Sequence, residues 1–167
     1  VVFQKQQHKQ WCWAAVSRVV LSLKYPASKL PEQCEIVSKT IGKNCCVSPK
    51  PFGCGEPNRM EKVNKAWDMN LKGDDAVYET DWRNKDYSGF YKIAEAIKAG
   101  KIGLVVYDYP TSDMNGGGGH VVVAIATYKK KNVPYIVTWD PYDGKVRHWY
   151  KEQIYGGMQW HKIYIQQ

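Results

Sequence analysis

The pattern of apolar and polar positions divides the chain into a helical half and a strand-rich half. A mostly apolar run over residues 12–24 predicts a largely buried helix that ends before Pro26. Apolar residues at helical spacing predict two further helices, over residues 31–42 and 58–71, with Gly42 as the stop of the first. A segment rich in Pro and Gly separates these two helices and indicates turns.

Beyond residue 72 the period changes from helical to alternating. One more helix is predicted over residues 91–99, closed by Gly100, and residues 76–80 are a candidate short strand. Runs rich in Val, Ile, Tyr and Trp predict five strands, over residues 103–109, 120–128, 135–139, 146–150 and 162–165. The basic run 129–131 is predicted to be a hairpin tip. Helices followed by strands predict an α+β protein with two lobes, helical over about 1–72 and β over about 73–167.

Composition and charge exclude several classes of protein. The chain has 167 residues, 44% hydrophobic and 13% aromatic, which is enough for one domain with its own core and excludes disorder. No apolar run approaches the roughly 20 residues of a membrane span. Eleven Lys and Arg against five Asp and Glu give residues 1–70 a charge of +6, and thirteen against eleven give residues 71–167 a charge of +2. Because the bases of residues 1–70 stand singly, we interpret them as a solvated surface and expect no nucleic acid partner.

The cysteines divide into a cluster and a single residue. Cys34, Cys45, Cys46 and Cys54 fall within 21 residues, whereas Cys12 stands alone. In an exported protein this count indicates up to two disulfides and one free thiol, and the sequence leaves the pairing open. Zinc is the alternative, but the spacing lacks the short Cys-x2-4-Cys element of structural zinc sites, so no metal is expected.

Candidate chemistry lies on three segments. Cys12 comes where a buried helix begins, and the positive end of the helix dipole favours the thiolate form; the alternative is a small buried hydrophobic residue. His120 follows a run of glycines at the start of a strand, where it is either structural or catalytic. Asp140 ends a strand before Pro141 and either shapes an Asx turn or holds the imidazole of His120.

In this order and at these spacings, the three segments resemble the papain-like cysteine peptidases, most closely compact bacterial ones such as staphopains and plant-pathogen effector proteases. The resemblance covers nearly the whole chain, although only the Cys and His segments are specific. It rests on Gln6 six residues before Cys12, Trp11-Cys12-Trp13-Ala14-Ala15, Gly119-His120, Trp139-Asp140-Pro141, Glu32-Gln33, Gly53-Cys54-Gly55 and Ile97-Lys98-Ala99-Gly100.

The resemblance implies a fold and a set of roles. The fold is the papain-like one, with an N-terminal helical lobe, a C-terminal antiparallel β-sheet lobe and the active site between them. Cys12 is then the nucleophile, His120 its acid–base partner and Asp140 the residue that orients His120. Gln6 and the backbone N–H of Cys12 form the oxyanion hole, with Gln7 as the nearest rival to Gln6.

The same resemblance implies an enzyme without a cofactor that hydrolyses protein or peptide substrates. We expect a monomeric bacterial virulence or effector protease, secreted or delivered into a host cell, with a propeptide or a proteinaceous inhibitor as a further partner. Cys34, Cys45, Cys46 and Cys54 are then structural.

Two features depart from the papain pattern. Asp140 takes the place of an asparagine and adds negative charge beside the imidazole, and Lys9 takes the place of a cysteine, so one family disulfide cannot form. Other functions remain open on the same thiol machinery, because one fold hosts many activities: a glutamine deamidase, a transglutaminase or a peptidoglycan amidase. A binding module that retains an inactive site is a third interpretation.

Overall fold

The apolar run near the start of the chain forms a helix that is buried on all sides. The computed structural model describes residues 1–75, 88–108, 119–150 and 159–167. In it, α1 spans Cys12–Leu21, and every residue of this helix after Cys12 is buried. Arg18 is tolerated there because its Nε donates to the carbonyl of Pro31 at 3.0 Å and its Nη2 lies 3.1 Å from the Glu32 carboxylate. The helix ends three residues earlier than predicted, where the N–H groups of Leu23 and Lys24 turn to carbonyls three residues back.

Two shorter helices follow, α2 over Gln33–Ile41 and α3 over Met60–Trp67. The prediction that Gly42 stops α2 is confirmed, because this residue takes φ 76°. The prediction that α3 extends to Leu71 is wrong. Asp68 and Asn70 adopt left-handed conformations with φ 48° and 56°, which end the helix and send the chain into a strand.

The second half forms a six-stranded antiparallel sheet, which confirms the α+β prediction among the described residues. The strands lie in the order β1-β6-β2-β3-β4-β5. Their bounds are β1 Leu71–Asp75, β2 Gly103–Asp108, β3 His120–Lys130, β4 Val133–Trp139, β5 Val146–Tyr150 and β6 Gln159–Gln166. The hairpin between β3 and β4 turns at Lys131 and Asn132, both with positive φ. Residues 129 and 130 therefore lie in β3 and not at the predicted tip.

Strand β1 was not predicted, and the candidate strand over residues 76–80 lies outside the described residues. The segment from Leu71 to Asp75 has little β-propensity, but it pairs along β6 at the edge of the sheet. Gly73 faces Tyr164 in this pairing, and a Cβ at Gly73 would meet the tyrosine ring at 2.8 Å. The glycine therefore lets the aromatic ring lie directly on the edge strand.

One face of the sheet packs against α4, which spans Ser88–Lys98. The helix contributes Phe90, Ile93 and Ala94 to a buried cluster. Alternate strand residues supply the rest of the cluster: Val105, Tyr107, Val122, Ala124, Ile136 and Ile163. This face matters for the site, because His120 lies opposite Tyr107 in the pairing of β2 with β3 and so points to the same side of the sheet.

The described residues fall into two compact units. The first comprises Val1–Asn70 and Pro141–Gly144, and the second Leu71–Asp140 and Lys145–Gln167. Within the part of the chain that the structure describes, no helix combines the length and apolarity needed to cross a membrane.

Two disulfides hold the segment between α2 and α3 in the first unit. Cys34 is bonded to Cys46, and Cys45 to Cys54. The sulfurs are therefore not available as zinc ligands, and Cys12 is the free cysteine.

We expect mass spectrometry of the intact protein to show four disulfide-bonded cysteines and one free cysteine. Alkylation without reductant should add one group to the unfolded chain, and alkylation after reduction should add five. Removing either disulfide should lower the free energy of unfolding by about 2–4 kcal/mol, because each closes a short loop of the unfolded chain. The Cys12→Ala variant is the control, with no adduct before reduction and four after it; any other stoichiometry contradicts the pairing.

Candidate active site

Cys12 is the first residue of α1 and is half-buried with a free thiol. The N–H groups of this first turn have no acceptor within the helix, so they present partial positive charge next to the sulfur. The role of nucleophile stays a prediction for Cys12.

Trp11, directly before the nucleophile candidate, is held from several sides. Its indole Nε1 donates to the carbonyl of Cys54 at 2.7 Å in a buried hydrogen bond. The ring of His8 lies 5.4 Å from the Trp11 ring, and the ammonium of Lys50 lies 5.4 Å from its centroid. Since Cys54 is fixed by its buried disulfide to Cys45, the start of α1 is tied to the disulfide-bonded segment.

Gln33 organises the segment that carries Gln6. Its side chain is fully buried, and its Nε2 donates to the carbonyl of Lys5 at 2.7 Å and to Oε1 of Gln4 at 3.1 Å. Its Oε1 accepts the backbone N–H of Gln7 at 2.9 Å. A single buried amide therefore fixes the backbone from residue 4 to residue 7.

The two candidates for the oxyanion residue differ in setting. Gln6 is half-buried, and its Nε2 donates to the carbonyls of His8 and Lys9 at 3.0 and 2.7 Å. Gln7 has an exposed side chain. For Gln6 to donate to an oxyanion, one of its two loop hydrogen bonds has to be given up, so its role stays a prediction.

His120 and Asp140, predicted as partners from the sequence, are in direct contact within the second unit. Nε2 of His120 lies 2.8 Å from Oδ1 of Asp140. The Asp140 side chain is 1% exposed and that of His120 12%. Because a carboxylate can only accept, the proton of this bond is on Nε2, and in the neutral ring Nδ1 then carries the lone pair.

The register of the sheet explains this contact. Ala124 on β3 lies opposite Thr138 on β4, so alternate residues from these two positions point to one face. His120 and Asp140 belong to these alternating sets, one at the start of β3 and one just past the end of β4. They are diagonal neighbours, which long or planar side chains can bridge.

Sequence reasoning missed Arg147. Its Nη1 lies 3.1 Å from Oδ2 of Asp140, so the buried carboxylate meets a guanidinium on one oxygen and an imidazole on the other. Arg147 pairs with Thr138 across β4 and β5 and therefore points to the face of Asp140. The sequence contained a signal for this contact, because strands were predicted on both sides of the turn over residues 141–145. In a hairpin, residues close to the turn that point to the same face of the two strands lie next to each other.

Among the described residues, no group of three or more His, Cys, Asp or Glu side chains is arranged to hold a metal ion. The roles of Cys12 and Gln6 in the first unit and of His120 and Asp140 in the second stay predictions. In comparisons with known proteins, no family model and no curated protein matches the chain.

Substitutions at Trp11 and Trp13 test the hydrogen bond between the Trp11 indole and the carbonyl of Cys54. Trp11→Phe leaves the buried carbonyl of Cys54 without its donor, whereas Trp13→Phe removes a buried N–H that has no acceptor among the described residues. We expect Trp11→Phe to lower the free energy of unfolding by about 1–3 kcal/mol more than Trp13→Phe. Urea unfolding measures the difference, and equal losses in the two variants would show that the Cys54 hydrogen bond contributes nothing.

Proposed function

We propose that the chain is a papain-like cysteine peptidase in which Cys12 is the nucleophile, His120 its acid–base partner and Asp140 the residue that orients His120. The observation that carries the proposal is the 2.8 Å bond between His120 and the buried carboxylate of Asp140. A free thiol at the start of a buried helix supports it from the other unit. In this proposal the helical unit and the sheet unit are the two lobes of the papain-like fold.

The chemistry follows from the residue types. The Cys12 thiolate attacks the carbonyl carbon of a peptide bond, and an S–C bond forms while the carbonyl oxygen becomes an oxyanion. The backbone N–H of Cys12 and the amide of Gln6 donate to that oxyanion. His120 gives its proton to the leaving amine as the C–N bond breaks. Water, deprotonated by His120, then attacks the thioester, and the C–S bond breaks to release the carboxylic acid and restore the Cys12 thiolate beside a protonated His120.

The turn after Asp140 supports the proposed role of Gln6. The backbone N–H of Gln6 donates to the carbonyl of Pro141 at 2.8 Å, and Pro141 is bonded covalently to Asp140. Within the first unit, this hydrogen bond helps to hold the backbone of the segment that carries Gln6.

The proposal includes a setting for the enzyme. Two disulfides fit an oxidising environment, where such bonds persist. We therefore propose a secreted or host-delivered bacterial endopeptidase that acts on protein substrates.

Replacing Cys12 with Ala tests the nucleophile. The variant should lose casein hydrolysis and also labelling by a thiol-directed epoxide, because no other free thiol occurs among the described residues. Hydrolysis is measured by the release of acid-soluble peptides and labelling by intact mass. A variant that still cleaves casein would overturn the proposal.

A matched pair of histidines tests the base. His120→Ala should lower kcat/KM for a peptide substrate by about 10²–10⁴-fold, the usual contribution of a positioned acid–base group. His148→Ala is the control, since His148 is exposed on β5 and contacts the hydroxyl of Tyr128 at 3.2 Å. Equal losses in both variants would contradict a catalytic role for His120.

The same samples separate the peptidase from other thiol enzymes. Mass spectrometry of treated proteins should show new termini at cleaved peptide bonds. An intact chain in which one glutamine has become glutamate would instead assign a deamidase, and a new cross-link would assign a transglutaminase. Absence of all these reactions, together with an unreactive Cys12, would leave the binding-module interpretation.

A further inference from the structure

The carboxylate of Asp140 has a second contact that the proposed mechanism does not use. Oδ1 meets His120 at 2.8 Å, and Oδ2 meets the guanidinium of Arg147 at 3.1 Å. The backbone of Asp140 is also fixed, because its N–H donates to the carbonyl of Lys145 at 3.0 Å and closes the turn. Both the position and the rotation of this carboxylate are therefore defined.

The charge of Asp140 requires compensation. Its side chain is 1% exposed, and a buried carboxylate without a counter-charge costs several kcal/mol. Arg147 is charged at every accessible pH, whereas His120 changes its charge during the reaction. Among the described residues, the other titratable groups near this pair by register and chain order are Tyr107, which lies opposite His120 on β2, and Asp143 and Lys145 in the turn after Asp140.

Without Arg147, compensation of the negative charge of Asp140 would depend more strongly on the imidazolium form of His120. An imidazolium held by an uncompensated carboxylate releases its proton less readily. The leaving amine of a peptide bond must receive that proton, so the reaction would slow at this step. With Arg147 present, the pair of Asp140 and Arg147 is neutral as a whole and orients the ring much as an asparagine does.

We propose that Arg147 is a positioning residue that anchors Asp140 and balances its charge, so that His120 is both oriented and able to release its proton. This inference rests on the proposed function, because the proton is released to the leaving amine of a substrate. Arg147 acts through Asp140 and needs no contact with the substrate.

Kinetics with two leaving groups test the inference. Arg147→Met should lower kcat/KM for a peptide amide about 10- to 100-fold, in the range found when a supporting partner is lost. The loss should be several times smaller for the p-nitrophenyl ester of the same acyl group, because nitrophenolate leaves without a proton. Arg147→Lys should retain most of the activity, since it keeps the charge. Lys130→Met is the control, because it removes an exposed charge at the far end of β3.

Equal losses for amide and ester in Arg147→Met would overturn the inference, because a merely structural role affects both. A double-mutant cycle covers the case in which this variant folds poorly. In the Asp140→Asn background no buried carboxylate needs compensation, so adding Arg147→Met should change the rate less than about twofold. A further loss as large as that in the parent would show that Arg147 does not act through Asp140.

Imidazole NMR separates the failure of this inference from that of the proposed function. In ¹⁵N-labelled Cys12→Ala protein at fixed pH, Arg147→Met should raise the imidazolium fraction of His120, and Arg147→Lys should leave it unchanged. If the parent enzyme cleaves neither amide nor ester, the peptidase proposal fails, and this spectrum still decides the role of Arg147. An unchanged imidazolium fraction in Arg147→Met would overturn the charge-balancing role.

Discussion

The burial of one carboxylate, that of Asp140, imposes a strict constraint on the second unit. Asp140 has no contact with solvent, so its charge must be balanced and its oxygens must be bonded by neighbouring side chains. Both partners come from adjacent strands, His120 from the start of β3 and Arg147 from the start of β5. These two side chains can reach Asp140 only in the observed register of β3, β4 and β5. A shift by one residue in the pairing of β3 with β4, or of β4 with β5, would turn His120 or Arg147 to the opposite face.

The first unit depends on buried polar groups of a different kind. Gln33 binds three backbone or side-chain partners in the segment from residue 4 to residue 7, and the carbonyl of Cys54 binds the indole of Trp11. Neither contact has the strength of an ion pair, but each would leave a buried polar group unsatisfied if it were broken. The position of the Cys12 thiol is therefore determined by groups that take no part in thiol chemistry.

Hydrophobic patterning predicted the α+β class, the first two helices and the strands that contain His120 and Trp139. Its predictions were wrong where backbone conformation or strand pairing, and not the spacing of apolar residues, determines the structure. Leu71 was placed on a helix because it continued an apolar stripe, whereas the left-handed residues Asp68 and Asn70 end that helix. Strand β1 was missed because its sequence is polar and its stability comes from pairing with β6.

The candidate site could be predicted only in part, because the sequence shows residue type and order but not which residues face each other in the fold. Residue type and order offered contact with His120 as one of two interpretations of Asp140, because a strand start and a strand end are visible in a sequence, and the family resemblance implied that contact. Arg147 was not named, because its relevance depends on which residues face each other across β4 and β5. The pairing of four clustered cysteines also depends on tertiary geometry, which spacing alone does not determine.

The turn between β4 and β5 is constrained on both sides, unlike most surface turns. The chain leaves the second unit after Asp140 and returns at Lys145, and the N–H of Asp140 bonds to the carbonyl of Lys145. The intervening residues belong to the first unit, where the carbonyl of Pro141 accepts the N–H of Gln6, and a Cβ at Gly144 would meet the Lys5 side chain at 2.8 Å. Loops usually tolerate insertions. This turn should not, because an added residue would break the hydrogen bond between the N–H of Asp140 and the carbonyl of Lys145 that closes it.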